Sequence, residues 1–153
     1  MSDVFSSVGT VVAVSAALPA TYNEAGYEAL TFTSVGELQE LPEFGAEQAL
    51  ATHTPLATGI VEKRGGSVDY GEVTLPIALT GVDAGEGILQ AKSDSAVTAD
   101  KRATFKVTLP TGEALYFVGL VRSFTRNVGN ADAIAMASSI VSITSAVLAV
   151  AAV

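Results

Sequence analysis

Between Ala103 and Arg126 the rhythm of hydrophobic and polar positions changes partway. In the first arm Ala103, Phe105, Val107 and Leu109 fall on one side, and Thr104, Lys106 and Thr108 on the other. Successive side chains of an extended chain point to opposite sides, so this alternation predicts a strand with one dry and one wet face. Pro110, Thr111 and Gly112 supply the turn, proline presetting φ at the second turn position and glycine suiting the fourth. The second arm does not alternate. Leu115, Phe117 and Val121 lie on one face, and Tyr116, Val118, Leu120 and Phe124 on the other, so both faces need cover. A helix of the same chain or a neighbouring copy would provide it, and the asymmetry points toward an assembly protein.

The remaining pattern is one of short strands between turn signals. Residues 10–15 read as a first strand, 19–29 as a loop with one helical turn at 24–28, and 31–41 as a strand with a bulge at Gly36. Over residues 42–58 the pattern dissolves around Pro42, Gly45 and Pro55. A structureless loop beyond about 12–15 residues is usually functional or disordered. Phe44, Leu50, Pro55 and Leu56 make this one too apolar for a solvated linker, so it needs a surface to lie on. A further strand begins at 60–63, with a break or bulge at Gly65 and Gly66. Residues 72–79 alternate Val73, Leu75, Ile77 and Leu79 against Thr74, Pro76 and Ala78; Pro76 has no N–H to donate, which places this strand at an edge or at a bulge. Asp83, with Glu86 three residues on, opens a helix carrying Ala84, Ile88 and Ala91 on one stripe, Leu89 beside it, and an end near Ser93. Residues 95–101 and 127–132 read as polar connections. The chain closes in an apolar run whose β-branched stretch at 140–144 suits a strand. The expectation is a single domain over residues 1–153, mainly β: an antiparallel β-sandwich or partial barrel with one short flanking α-helix. It carries a long interaction loop at about 42–58 and an apolar C-terminal arm at about 145–153.

Composition narrows the function. With 49% hydrophobic residues in 153, a real core can form. Sixteen acids against eight bases give a formal net charge of −8, which opposes adhesion to nucleic acid by phosphate neutralisation. The pairs Lys63–Arg64 and Lys101–Arg102 are too small for a basic stripe and read as solvated strand ends. There is no cysteine, which excludes disulfides and thiolate metal sites and suits a reducing cytoplasm. The apolar stretch 8–18 lacks the positive start of a secretory signal, since no base precedes Lys63. Residues 133–153 are long enough for a membrane helix, but serines and threonines crowd their middle and no base flanks their C-terminal end.

The tools of an enzyme are missing. His53, the one histidine, has no orienting partner in the sequence and reads as a surface or packing residue. Gly65-Gly66-Ser67-Val68-Asp69 lacks the final glycine of a nucleophile elbow. No acid pair, phosphate loop or calcium loop is fixed by spacing. The expectation is therefore no catalytic residue, no cofactor and no metal.

Several stretches, taken in order, resemble the tail tube proteins of long-tailed, siphovirus-like bacteriophages. They are Pro19-Ala20-Thr21-Tyr22-Asn23-Glu24-Ala25-Gly26-Tyr27, Phe32-Thr33-Ser34-Val35-Gly36-Glu37, Glu43-Phe44-Gly45 and His53-Thr54-Pro55-Leu56-Ala57-Thr58. Asp83-Ala84-Gly85 and Phe105-Lys106-Val107-Thr108-Leu109 follow, then Gly112 and Tyr116-Phe117-Val118-Gly119-Leu120-Val121 with Phe124. The likeness spans nearly the whole chain, and its specificity lies in the order of the stretches.

The resemblance implies a β-sandwich with a flanking helix. Its subunits would join as hexameric rings that stack into a hollow tube conducting DNA during ejection, with the long loop reaching neighbouring subunits. It implies a virion protein made in the host bacterial cytoplasm, partnered by its own copies and by other tail proteins such as the tape measure and terminator. DNA would pass without specific binding, and no membrane is involved. Candidate inter-subunit contacts are Phe44, Leu50, His53, Pro55, Leu56, Tyr116 and Phe124; no motif fixes which acids would face the lumen. The competing readings are another ring-forming tail protein (a terminator or decoration protein), a secretion-system tube subunit, a membrane-anchored protein and, far behind, an acid-using hydrolase.

Overall fold

In the computed structural model, which describes residues 4–96 and 99–152, nine strands and two helices follow the chain. They are β1 (Val11–Ser15), α1 (Glu24–Glu28), β2 (Thr33–Ser34), β3 (Glu47–His53), β4 (Glu62–Asp69), β5 (Glu72–Ala78), α2 (Ala84–Asp94), β6 (Arg102–Thr108), β7 (Ala114–Asn127), β8 (Met136–Ile143) and β9 (Leu148–Val150). The fold is mainly β and antiparallel, as the alternation requires, and the sheet does not close into a barrel. Two helices are present among the described residues: α2 is the expected flanking helix, and α1 is the single turn read at 24–28.

The hairpin of β6 and β7 is the centre of a sheet ordered β2-β1-β6-β7-β8-β5. Gly112 holds φ at +94° in the turn, and the Leu109 N–H bonds the Glu113 carbonyl across it at 2.8 Å. β8 runs antiparallel to β7 from Met136 opposite Asn127 to Ile143 opposite Gly119. The Thr144 N–H then donates to the Val118 carbonyl, the Val118 N–H donates to Ser145 Oγ, and β9 resumes pairing along β7 from Leu148 to Val150. Residues 136–150 thus form one interrupted strand, and the apolar C-terminal arm lies on its own subunit as far as Ala152, Val153 lying outside the described residues.

Residues 31–41 are not one bulged strand. The chain bends at Gly36 and Glu37, the latter at φ +57°, and the halves pair with opposite edges of the sheet. Thr33 and Ser34 pair with Val14 and Ala13 of β1, and the Val35 N–H bonds the Val12 carbonyl. Leu38 bridges Ile77, the Gln39 N–H bonds the Pro76 carbonyl, and the Ala78 N–H bonds the Glu37 carbonyl. Pro76 thus sits on an edge strand, where its missing N–H leaves no gap in the ladder to β8. One crossing segment guards both edges, the places where open strands invite wrong pairing.

On one face of the sheet Val12, Val14, Val73, Leu75, Ile77, Phe105, Val107, Phe117, Val121 and Val141 form the main core. The first turn of α2 is fixed by the Asp83 carboxylate, which accepts from the Glu86 and Gly36 N–H groups, and the helix drives Leu89 into this core. The opposite face carries a second cluster of Tyr27, Ala114, Tyr116 and Val118, with Leu18, Phe32, Leu148 and Val150 against it. Burying each such large side chain contributes about 1.5–3 kcal/mol, and both faces of β7 find their cover within the same chain.

Two expectations for the hairpin change accordingly. The face of β6 read as wet is largely covered: Thr104 is fully buried with its hydroxyl donating to the Ala17 carbonyl, and Lys106 lies over the rings of Phe32 and Tyr116. Phe124 joins the main core, on the same side as Val121, because the register of β7 shifts between Val121 and Ser123. A bulge of one residue moves every later side chain to the other face.

Candidate assembly surface

β3 and β4 pair as a separate two-stranded sheet, and every residue in both is exposed. Glu47 lies opposite Asp69 at the root, and His53 opposite Glu62 near the tip. The register shifts between Gln48 and Leu50, where the Gln48 amide donates to the Gly66 carbonyl at 3.1 Å; Gly65 and Gly66 give the bulge rather than an end to the strand. At the tip the Gly59 N–H bonds the Pro55 carbonyl at 2.8 Å and φ of Gly59 is +66°, so proline and glycine close the turn. The segment 42–58 is therefore not structureless: its second half is the outgoing strand and turn of this arm.

A lone two-stranded ribbon is marginal in water, because neither face is covered. This one also displays apolar side chains: Leu50 is 62% exposed, Leu56 fully exposed, and Ile60, Val61 and Val68 more than half exposed. Its charge is mixed near the tip, where Glu62 adjoins Lys63 and Arg64, the two bases standing opposite Thr52 and Ala51, and acidic at the root, where Glu47 and Asp69 face each other. The ion pairs among the described residues are Asp100–Arg102 and Glu72–Arg122, so the arm's two bases are paired with none of its acids.

The seven candidate contacts separate into groups. Leu50, His53 and Leu56 are exposed on the arm, and Pro55 is half-buried in its turn. Phe44 is half-buried at the root, packed against the main core with its ring 5.6 Å from that of Phe117. Tyr116 and Phe124 are buried inside the subunit, on opposite faces of β7. Ile60, Val61, Val68, Lys63 and Arg64 belong to the arm and were not among the candidates. Their signal was the spacing of Thr54-Pro55 and Gly59, a turn between two runs of similar length.

Among the described residues no three metal-type ligands converge, and no helix is long and apolar enough to cross a membrane. Titrations are displaced at the Asp100–Arg102 pair and at Tyr27. Hydrogen bonds from Arg102 hold the exposed Asp100 carboxyl at about 2, and burial pushes the Tyr27 phenol up, against a hydrogen bond with Ser145. Both groups sit away from the arm and serve local structure.

No family model matches the chain, and no curated protein does. Solved structures do match. A chain in the tail of an empty gene transfer agent particle, refined helically with C6 symmetry, superposes with a TM-score of 0.58 at 19% identity over 78% of this chain and 87% of its own length. A chain in the virion of the native gene transfer agent gives 0.58 at 18% identity, over 78% and 89%. A chain in the six-fold symmetrised baseplate of the anti-feeding prophage gives 0.68 at 8% identity, over 99% and 98%. At these identities what is shared is the fold, and the fold is one built into phage-like tail particles.

Proposed function

We propose that the chain is a structural tail protein whose copies join in hexameric rings that stack into a hollow tube conducting DNA. The observation that carries this reading is the β3–β4 arm, a ribbon exposed on both faces that gains cover only from another molecule. Phe44 at its root and Leu50, His53, Pro55 and Leu56 along it are the contacts we assign to assembly. The likeness to a chain in a C6-symmetric tail and to one in a six-fold symmetrised baseplate supports the same reading. An arm laid on the body of the next copy without reciprocation makes a head-to-tail contact, the kind that builds rings or filaments rather than closed pairs. The net charge of −8 suits a conduit that DNA passes without adhering. Other tail proteins, such as a tape measure inside the tube and a terminator at its end, are the remaining partners.

The second reading, a ring at the end of a tail, is favoured by the likeness to a baseplate chain over nearly all of both lengths. A secretion-system tube subunit belongs to the same class of assembly. Electron microscopy of the purified chain separates these readings. Long hollow tubes with six-fold end views are expected; isolated rings favour the second reading, and particles that stay monomeric at high concentration overturn both.

A further inference from the structure

The crossing segment that guards both sheet edges leaves an opening beside it. Val35 is the last residue to bond β1, and by Leu38 the chain has moved to β5. Between residues 7–10 and 38–41 lies a cleft of about 520 Å³, floored by Leu38, Leu41 and Leu109, with Val8 at one wall and Glu40 at the rim. Val8 is 83% exposed and extends the apolar surface at the cleft wall.

We propose that this cleft is the receptor for the arm of a second copy, taking the tip residues Leu56, Ile60 and Val61. This rests on the reading of the arm as an assembly device and names the surface that it meets. Three observations carry the match. The tip is apolar and uncharged from Thr54 to Val61, and the floor of the cleft is leucine. The cleft falls in the roughly 300–1,000 Å³ range of sites that hold a compact apolar guest. The charges behind each surface are opposite on balance: Lys63 and Arg64, beside Glu62, follow the tip, whereas Glu40 lines the cleft, and neither these two bases nor Glu40 forms an ion pair among the described residues. Like-charge juxtaposition suppresses wrong partners, so this arrangement also opposes tip-to-tip pairing. The groove beside α2, lined by Ala84, Ile88 and Ala91, is the rival receptor; its charged lining is mixed, Lys92 with Asp100, and offers the basic part of the arm no net acid.

The absence of native cysteine makes cross-linking clean. Chains carrying Leu56→Cys are mixed with chains carrying Gln39→Cys, an exposed position in the cleft, assembled and then oxidised. Disulfide-linked pairs are expected in this mixture and none when Gln39→Cys is replaced by Ala91→Cys on α2. Pairs through Ala91→Cys, or assembled particles without pairs at Gln39→Cys, overturn the receptor while leaving the tail reading intact. Failure of the unaltered chain to assemble overturns both. As a second test, K63E with R64E should raise the concentration needed for assembly about tenfold or more, and E40K in the same chain should restore part of it. Absence of rescue contradicts the pairing of these surfaces.

Discussion

Tyr27 stacks on Tyr116, ring centroids 5.2 Å apart and planes 20° from parallel, and this contact covers the second face of β7 from within the same chain. Tyr116→Ala should therefore act on folding. Truncating a buried aromatic costs about 3–5 kcal/mol, readable in denaturant unfolding of the unassembled subunit. Leu56→Ser at the arm tip should leave that stability within about 0.5 kcal/mol and reduce assembly alone. Equal effects of the two substitutions on unfolding would contradict this division.

Burial raises the Tyr27 pKa above the ordinary 10.0, so the folded chain holds that proton more tightly than the unfolded one. The associated stability is complete below pH 10 and is lost as pH rises through the folded value. Melting temperatures of the subunit should fall above pH 10 in the native sequence and fall less steeply in Tyr27→Phe. Parallel declines would mean that Tyr27 ionises no less readily in the fold than outside it.

The C-terminal strand makes a different case. Ending the chain after Ala146 removes the three β9 pairs with Ala114, Leu115 and Tyr116, and takes Leu148 and Val150 off the second cluster. A loss of about 2 kcal/mol or more is expected from the uncovered area, seen as a lower midpoint in the isolated subunit. If that midpoint is unchanged and only assembly suffers, the arm acts between subunits, as its apolar sequence alone suggests.

Gly85 and Gly87 should respond to alanine with opposite signs. A Cβ at Gly85 would stand 2.5 Å from the Ser34 carbonyl oxygen and 2.9 Å from Val35 Cα, where α2 meets the crossing segment. Overpacking of about 1–3 kcal/mol outweighs the helix-propensity gain of about 1 kcal/mol. A Cβ at Gly87 meets nothing within 4 Å and keeps that gain. Thermal melts should place Gly85→Ala below the native chain and Gly87→Ala above it.

These elements differ in how far they could be read from sequence. The β6–β7 hairpin, the cap of α2 and the edge position of Pro76 were legible because each follows from local spacing. The arm was half hidden: Glu47–His53 faces water on both sides, so no burial imprinted a period of two. The break at Gly36 was visible, but which edge each half would join depends on where β1 and β5 lie in the sheet. Phe124 changed faces through a register shift that no residue type announces. The assembly contacts suffered from the same limit, since hydrophobicity marks Tyr116 and Leu56 alike and only the fold shows that one is inside and the other outside.

Amide hydrogen exchange over residues 47–69, compared between the dilute subunit and the assembled particle, tests the arm most directly. Rapid exchange in the subunit and strong protection in the assembly are predicted, because the ribbon's pairing is marginal until a second copy covers it. Equal exchange in both states, or an arm already protected in the lone subunit, would contradict the account.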